Sequence, residues 1–226
     1  MFIFLSVGFI ENMCALRQVI PHNVRIVAVS KNQPVSAIIQ AYHAGQRIFG
    51  ENKAQELTSK YPLLPHDIEW HFIGHLQTNK VRDIAPYITL IHSIDSYHLL
   101  SKVNNEAMKI NRTIDCLIQI HIASEETKYG FTQDQATEMI ASGTYRNLRN
   151  IRITGVMGMG SLTDDNLVVR KEFQALHHFF IFLKTTFFSS HPEFTEISMG
   201  MSGDFHIALE EGTSIVRIGT LLFEER

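Results

Sequence analysis

VRIVAVSK, residues 24–31, is the stretch on which the fold turns. Val24, Ile26, Val27 and Val29 make 24–30 a β-branched strand that is apolar on both faces, and a lysine ends it. A strand of this kind belongs in a parallel sheet covered on both sides by helices. Pro34 opens a helix over 34–44, where its missing N–H would be unpaired in the first turn anyway. Ile38, Ile39 and Tyr42 share one face of that helix, and Gly45 is placed to end it.

The same order of strand, turn and helical segment recurs along the chain. Further strands are expected at 47–49, 69–73, 90–92, 114–120, 151–157, 194–198 and 214–218. Helices are expected at 51–60, from about 77, from a cap at Asp95 or Ser96 to 110, and at 133–142, 167–188 and 203–211. Eight such units predict an α/β protein of one domain, a (β/α)8 TIM-type barrel over residues 1–226. An open doubly wound sheet would want G-x-G-x-x-G after its first strand. Here Lys31-Asn32-Gln33-Pro34 follows, without a glycine.

Composition narrows the function classes. With 226 residues, 45% hydrophobic and 19% charged, the chain is long enough to bury a substantial core. A net charge of −3 gives no field for nucleic acid or anionic membrane. Cys14 and Cys116 form no C-x-x-C pair, which fits a reducing, cytoplasmic setting and no structural zinc. Residues 1–10 are almost wholly apolar, yet too short to span a bilayer and without a basic leader. We read 1–23 as an N-terminal segment packed on the barrel, in the form of a helix under it.

In such barrels chemistry sits at the C-terminal ends of the strands, with phosphate near strands seven and eight. Lys31 ends strand one, where a partly desolvated amine can attack an aldehyde. Strand seven runs out in Ser198-Met199-Gly200-Met201-Ser202-Gly203-Asp204, and strand eight in Arg217-Ile218-Gly219-Thr220. Their glycines and hydroxyls let backbone N–H groups approach an anion, aided by a helix starting near Gly203. Arg217, inside a strand, needs a partner: either a carboxylate or a ligand nitrogen. His71 and His75 are four apart, but His71 lies in a strand, so the helical i, i+4 relation does not put them on one face. There is no H-E-x-x-H, so no metal site is expected.

Read in order, VAVSK ending at Lys31, FGEN ending at Asn52, WHFIGHLQTNK from Trp70, HSID from His92, SEETKYGF from Ser124, GVMGM from Gly155, SMGMSGD from Ser198 and VRIGTLLF from Val216 resemble the pyridoxal phosphate homeostasis proteins. That family is similar to the barrel domain of alanine racemase. The resemblance implies pyridoxal 5′-phosphate (PLP) as cofactor, held as a Schiff base on Lys31. It implies Ser198, Gly219 and Thr220 around the phosphate, Arg217 facing the pyridine nitrogen, and Asn52 and Met157 close to the cofactor. It further implies a role in intracellular vitamin B6 balance, with apo PLP enzymes as partners and a monomer or weak dimer. This sequence departs from the family pattern at Lys53, at His75, near His121 and in its short apolar N-terminus.

An arginine facing the ring gives up no proton, which makes the cofactor a poorer electron sink. Racemases add a β-domain with a tyrosine base, whereas eight residues follow Ile218 here. The expectation is therefore a carrier without a clear second base. A weak PLP-dependent amino-acid racemase and a colourless Schiff-base aldolase for sugar phosphates are the alternatives.

Overall fold

The computed structural model describes residues 4–124 and 129–223. Eight parallel strands close into one barrel in sequence order. They are β1 (Arg25–Val29), β2 (Ile48–Glu51), β3 (Glu69–Phe72), β4 (Ile88–Ile94), β5 (Ile114–Gln119), β6 (Ile151–Met157), β7 (Glu196–Met201) and β8 (Ile215–Ile218). The barrel closes where β8 pairs with β1, from Arg25 opposite Ile215 to Ala28 opposite Ile218. Around it lie α1 (Phe4–Val19), α2 (Val35–His43), α3 (Ala54–Lys60), α4 (Val81–Ile84), α5 (Tyr97–Lys109), α6 (Gln133–Ala141), α7 (Asn166–Thr186), α8 (Phe205–Glu210) and α9 (Thr220–Phe223). This is the TIM-type (β/α)8 barrel that the repeated apolar strands predict.

Strand residues alternate between two cores, as a period of two demands. Val27, Leu90, Leu117, Met157 and Ile215 fill the barrel interior. Ile26, Phe49, Trp70, Phe72, Ile118 and Val216 point outward into the larger core beneath the helices. Trp70, Phe49 and Phe72 are among its largest fully buried side chains, each contributing roughly 1.5–3 kcal/mol over an exposed position.

Several boundaries differ from the sequence reading, for physical reasons. β2 takes in Glu51, assigned above to a helix, because a buried lysine on α3 meets its carboxylate. β4 extends beyond 90–92 on both sides, with His92 and Ser93 buried despite their polarity. β7 starts at Glu196 and continues to Met201. The helix expected from Gly203 starts at Phe205. The cap of α5 is Ser96, whose hydroxyl accepts from the Leu99 N–H.

The N-terminal helix lies on the side of the barrel instead of beneath it. α1 packs against α2 and α9, with the rings of Phe9 and Phe223 5.4 Å apart. Arg17 Nη1 donates to the Val24 carbonyl at 2.9 Å, tying the end of α1 to the entry of β1. α1 thus covers the wall outside the β8–β1 closure, where, among the described residues, the single turn of α9 follows β8.

Candidate functional site

Lys31 stands in the turn after β1, exposed at the C-terminal mouth. The desolvation expected of it is absent. Its turn, in contrast, is held on both sides. The Gln33 N–H donates to Ser30 O at 3.0 Å, and Asn32 adopts a left-handed φ of 60° that asparagine tolerates. Lys60 Nζ, from the last turn of α3, donates to Ser30 O at 2.9 Å, Glu51 Oε1 at 2.7 Å and Glu56 Oε2 at 3.0 Å. Ser30 Oγ donates to Glu51 Oε1 at 2.8 Å, and the Asn32 N–H to Glu56 Oε2 at 2.8 Å. Burial pushes the Glu51 carboxyl above the usual range, against the pull of Lys60.

Across the closure, Gly219 lies beside β1: a Cβ on it would sit 3.4 Å from Val29 Cβ. The Gly219 N–H donates to Ser202 Oγ at 3.3 Å, so the ends of β7 and β8 meet at one point. Thr220 is exposed there and opens α9, whose first N–H groups lack partners within the helix. Asn52 sits at the end of β2. A Cβ on Gly74 would lie 2.3 Å from Asn52 O, so only glycine lets the β3 loop approach so closely. Asn52 Oδ1 is buried and, among the described residues, has no hydrogen-bond partner. A cleft of about 210 Å3 opens next to it, lined by Lys53, Gln55, Phe72, His75 and Lys80 among others. His75 Nδ1 lies 3.2 Å from Asp95 Oδ2, and its ring stacks 3.7 Å from that of Tyr129.

Arg217 points into the barrel, 4% exposed. Nη1 donates to Ser198 Oγ at 2.6 Å, and Nη2 to the Gly158 carbonyl at 3.2 Å. No carboxylate pairs with it among the described residues, which closes the first of the two alternatives left by the sequence. Burial pushes its pKa down to about 10, opposed by Asp204, so it stays charged at neutral pH.

Two assignments shift. The Ser198 hydroxyl is fully buried and bonded to Arg217 and to His92 Nδ1, 2.9 Å away, so it is not available to a phosphate at the mouth. Ser202, from the same SMGMSGD stretch, is the serine that lies beside Gly219. Met157 belongs to the apolar interior layer, 1% exposed. His71 and His92, passed over in the sequence, come together inside the barrel with Nδ1 and Nε2 3.0 Å apart. Their signal was alternation: Glu69 and His71 occupy every second position of β3. The SEETKYGF stretch lies partly outside the described residues, at 125–128.

A phosphorylated pyridine aldehyde fits these donors. The set offers an amine at Lys31, an orphan acceptor at Asn52, a cation with two of its N–H donors engaged among the described residues, and N–H and hydroxyl groups at the Gly219–Ser202 contact.

Comparison with known proteins gives the family. The alanine racemase N-terminal domain profile matches residues 8–226. A pyridoxal phosphate homeostasis protein of Aquifex aeolicus (strain VF5) is 38% identical over 203 residues, 89% of this chain and 87% of that one. Its counterpart in Schizosaccharomyces pombe (strain 972 / ATCC 24843) is 35% identical over 90% of this chain and 85% of that one. The structure of PipY from Synechococcus elongatus PCC7942 with PLP bound superposes with a TM-score of 0.86 at 32% identity, covering 96% of this chain and 100% of that one. Alanine racemase of Clostridium difficile 630 shares the fold at a TM-score of 0.74 and 12% identity, over 97% of this chain and 56% of the racemase.

Proposed function

This chain belongs to the pyridoxal phosphate homeostasis proteins of the alanine racemase N-terminal domain family, and from that premise we propose that it holds PLP as a Schiff base on Lys31 and buffers the cofactor in the cytoplasm. One observation carries the reading. The β8–β1 closure brings the Lys31 turn, held at Ser30 and Asn32, to the same end of the barrel as the Gly219–Ser202 contact. The bound cofactor supplies an aldehyde. Lys31 is the residue that would hold that aldehyde, as the amine of a Schiff base. Gly219, Thr220 and Ser202 hold the phosphate, Asn52 accepts from the ligand, and Arg217 faces the ring nitrogen without giving it a proton.

That last feature favours holding over chemistry, because an unprotonated ring withdraws electrons weakly. Such a linkage would exchange with incoming amines, which would give a route for passing PLP to apo-enzymes. If apo-enzyme reactivated no faster than with the same dose of free PLP, delivery would be excluded. No helix among the described residues is long and apolar enough to cross a membrane.

The deciding experiment is an absorbance scan of the purified protein with PLP, before and after borohydride, beside Lys31→Ala. The expected result is a visible band that reduction bleaches, an adduct on the peptide containing Lys31, and no band in Lys31→Ala. A band that survives Lys31→Ala would place the amine elsewhere. No band at all would favour a sugar-phosphate ligand.

A further inference from the structure

Five polar side chains run in single file through the apolar interior of the barrel. Arg217 Nη1 meets Ser198 Oγ at 2.6 Å, and Ser198 Oγ meets His92 Nδ1 at 2.9 Å. His92 Nε2 meets His71 Nδ1 at 3.0 Å, and His71 Nε2 meets Glu69 Oε1 at 3.1 Å. Ser198, His92 and His71 are all at most 1% exposed, and Val27, Leu90, Leu117, Met157 and Ile215 fill the rest of the interior. A polar chain in such surroundings is retained only if every member is satisfied, since an unpaired member costs its full desolvation.

Donor and acceptor rules give the file a direction. Arginine can only donate, so Ser198 Oγ accepts from it and its single O–H is free to go to His92 Nδ1. His92 then carries its proton on Nε2 and donates to His71 Nδ1. His71 in turn carries its proton on Nε2 and donates to Glu69. The opposite direction would set an unprotonated His71 nitrogen against the Glu69 carboxylate. The charges agree. Burial holds both imidazoles below their ordinary pKa, and the hydrogen bond from His71 holds the Glu69 carboxyl below its own. The groups facing the file from other strands are Arg25, 3.6 Å from Glu69, and Glu196, which pairs with Arg25 at 2.9 Å. They anchor the acidic end at the rim where the strands begin. Asp204 is the carboxylate nearest in effect to the cationic end.

We propose that Ser198, His92, His71 and Glu69 are positioning residues: a one-way hydrogen-bond chain across the barrel that fixes the rotation of the Arg217 guanidinium and so aims its remaining N–H groups at the ligand. The second half of this statement rests on the cofactor reading above; the chain itself does not. A guanidinium bonded only to Gly158 O would turn about its Nε–Cζ bond. The link to Ser198 stops that turn, and the file behind Ser198 leaves its hydroxyl no other acceptor.

The test is nitrogen-15 NMR of the full-length protein, first without PLP. His71 and His92 are both expected as the neutral Nε2–H tautomer at pH 7. The Nη signals of Arg217 are expected to be resolved from one another, the mark of a guanidinium that does not rotate. Ser198→Ala should merge those signals and release the tautomer of His92, whereas Ser198→Thr, which keeps the hydroxyl, should restore both. If Ser198→Ala does not fold, Glu69→Leu, which removes the final acceptor, serves instead and should shift the His71 tautomer. With PLP added, Ser198→Ala should bind about tenfold more weakly, the worth of one charge-assisted hydrogen bond, with its absorbance band displaced. Either histidine as Nδ1–H or doubly protonated, or merged Arg217 signals in the wild type, would overturn the chain. Resolved signals in a wild type that gives no PLP band would overturn the cofactor reading and leave the chain standing. Unchanged PLP affinity and band in a folded Ser198→Ala would overturn the aiming role.

Discussion

Glu51 is fully buried, and its main cation, Lys60, has a side chain only 10% exposed. Removing one partner of such a pair strands the other. Lys60→Met is therefore expected to cost about 3–5 kcal/mol in urea unfolding, and adding Glu51→Gln should restore most of it. Both variants should also form the Schiff base more slowly, because Ser30 O loses its donor. Lys31, the lysine proposed to react, stands out in the sequence as a charge at the end of an apolar strand. Its clamp does not: Lys60 reads as one more charge on a helix, and Glu51 as the start of that helix. The pairing exists only once β2 and α3 are side by side. Ser198 and Ser202 pose a similar problem. Both are serines of one glycine-rich stretch, and the register irregularity between Ser198 and Met201 decides which faces inward.

At the level of elements, β6 and β7 meet unusually closely. A Cβ on Gly155 would lie 1.8 Å from the Glu196 carbonyl oxygen, a backbone atom with no room to move without breaking the ladder. Gly155→Ala is expected to destabilise by on the order of 3 kcal/mol or more, with hydrogen exchange rising first in β6 and β7. The sequence located all eight strands because each carries a short apolar run, and it set β6 at the same ends as the structure. It shortened β4 to 90–92, because Ser93 looks like the start of a loop. His92 is buried because partners from β3 and β7 reach it, and no local pattern reports a partner contributed from another strand. The GVMGM stretch thus carries two meanings: a family signature in the sequence, and a close approach of two backbones in the fold.

For the molecule as a whole, the buried imidazoles make stability depend on pH. Burial lowers the pKa of His71 and His92 in the folded state, so below about 6.5 the unfolded chain takes up protons that the folded chain refuses. Their contribution is present above that pH and is lost as pH falls, at up to about 1.4 kcal/mol per pH unit for each histidine. Urea midpoints measured between pH 7.5 and 5.5 should decline accordingly, and a flat profile would contradict the buried neutral pair. Glu69 adds to the decline further down, since its depressed carboxyl pKa favours the fold only while the carboxylate stays ionised. The barrel is joined between its first strand and its last, and that seam carries both the Lys31 turn and the Gly219 loop. A chain leaving the ribosome has to wait for β8 before the two halves of the binding mouth exist. The ligand proposed here would then bind across the seam, so that the stored vitamin also serves as a clasp, and an empty protein should breathe most along that line.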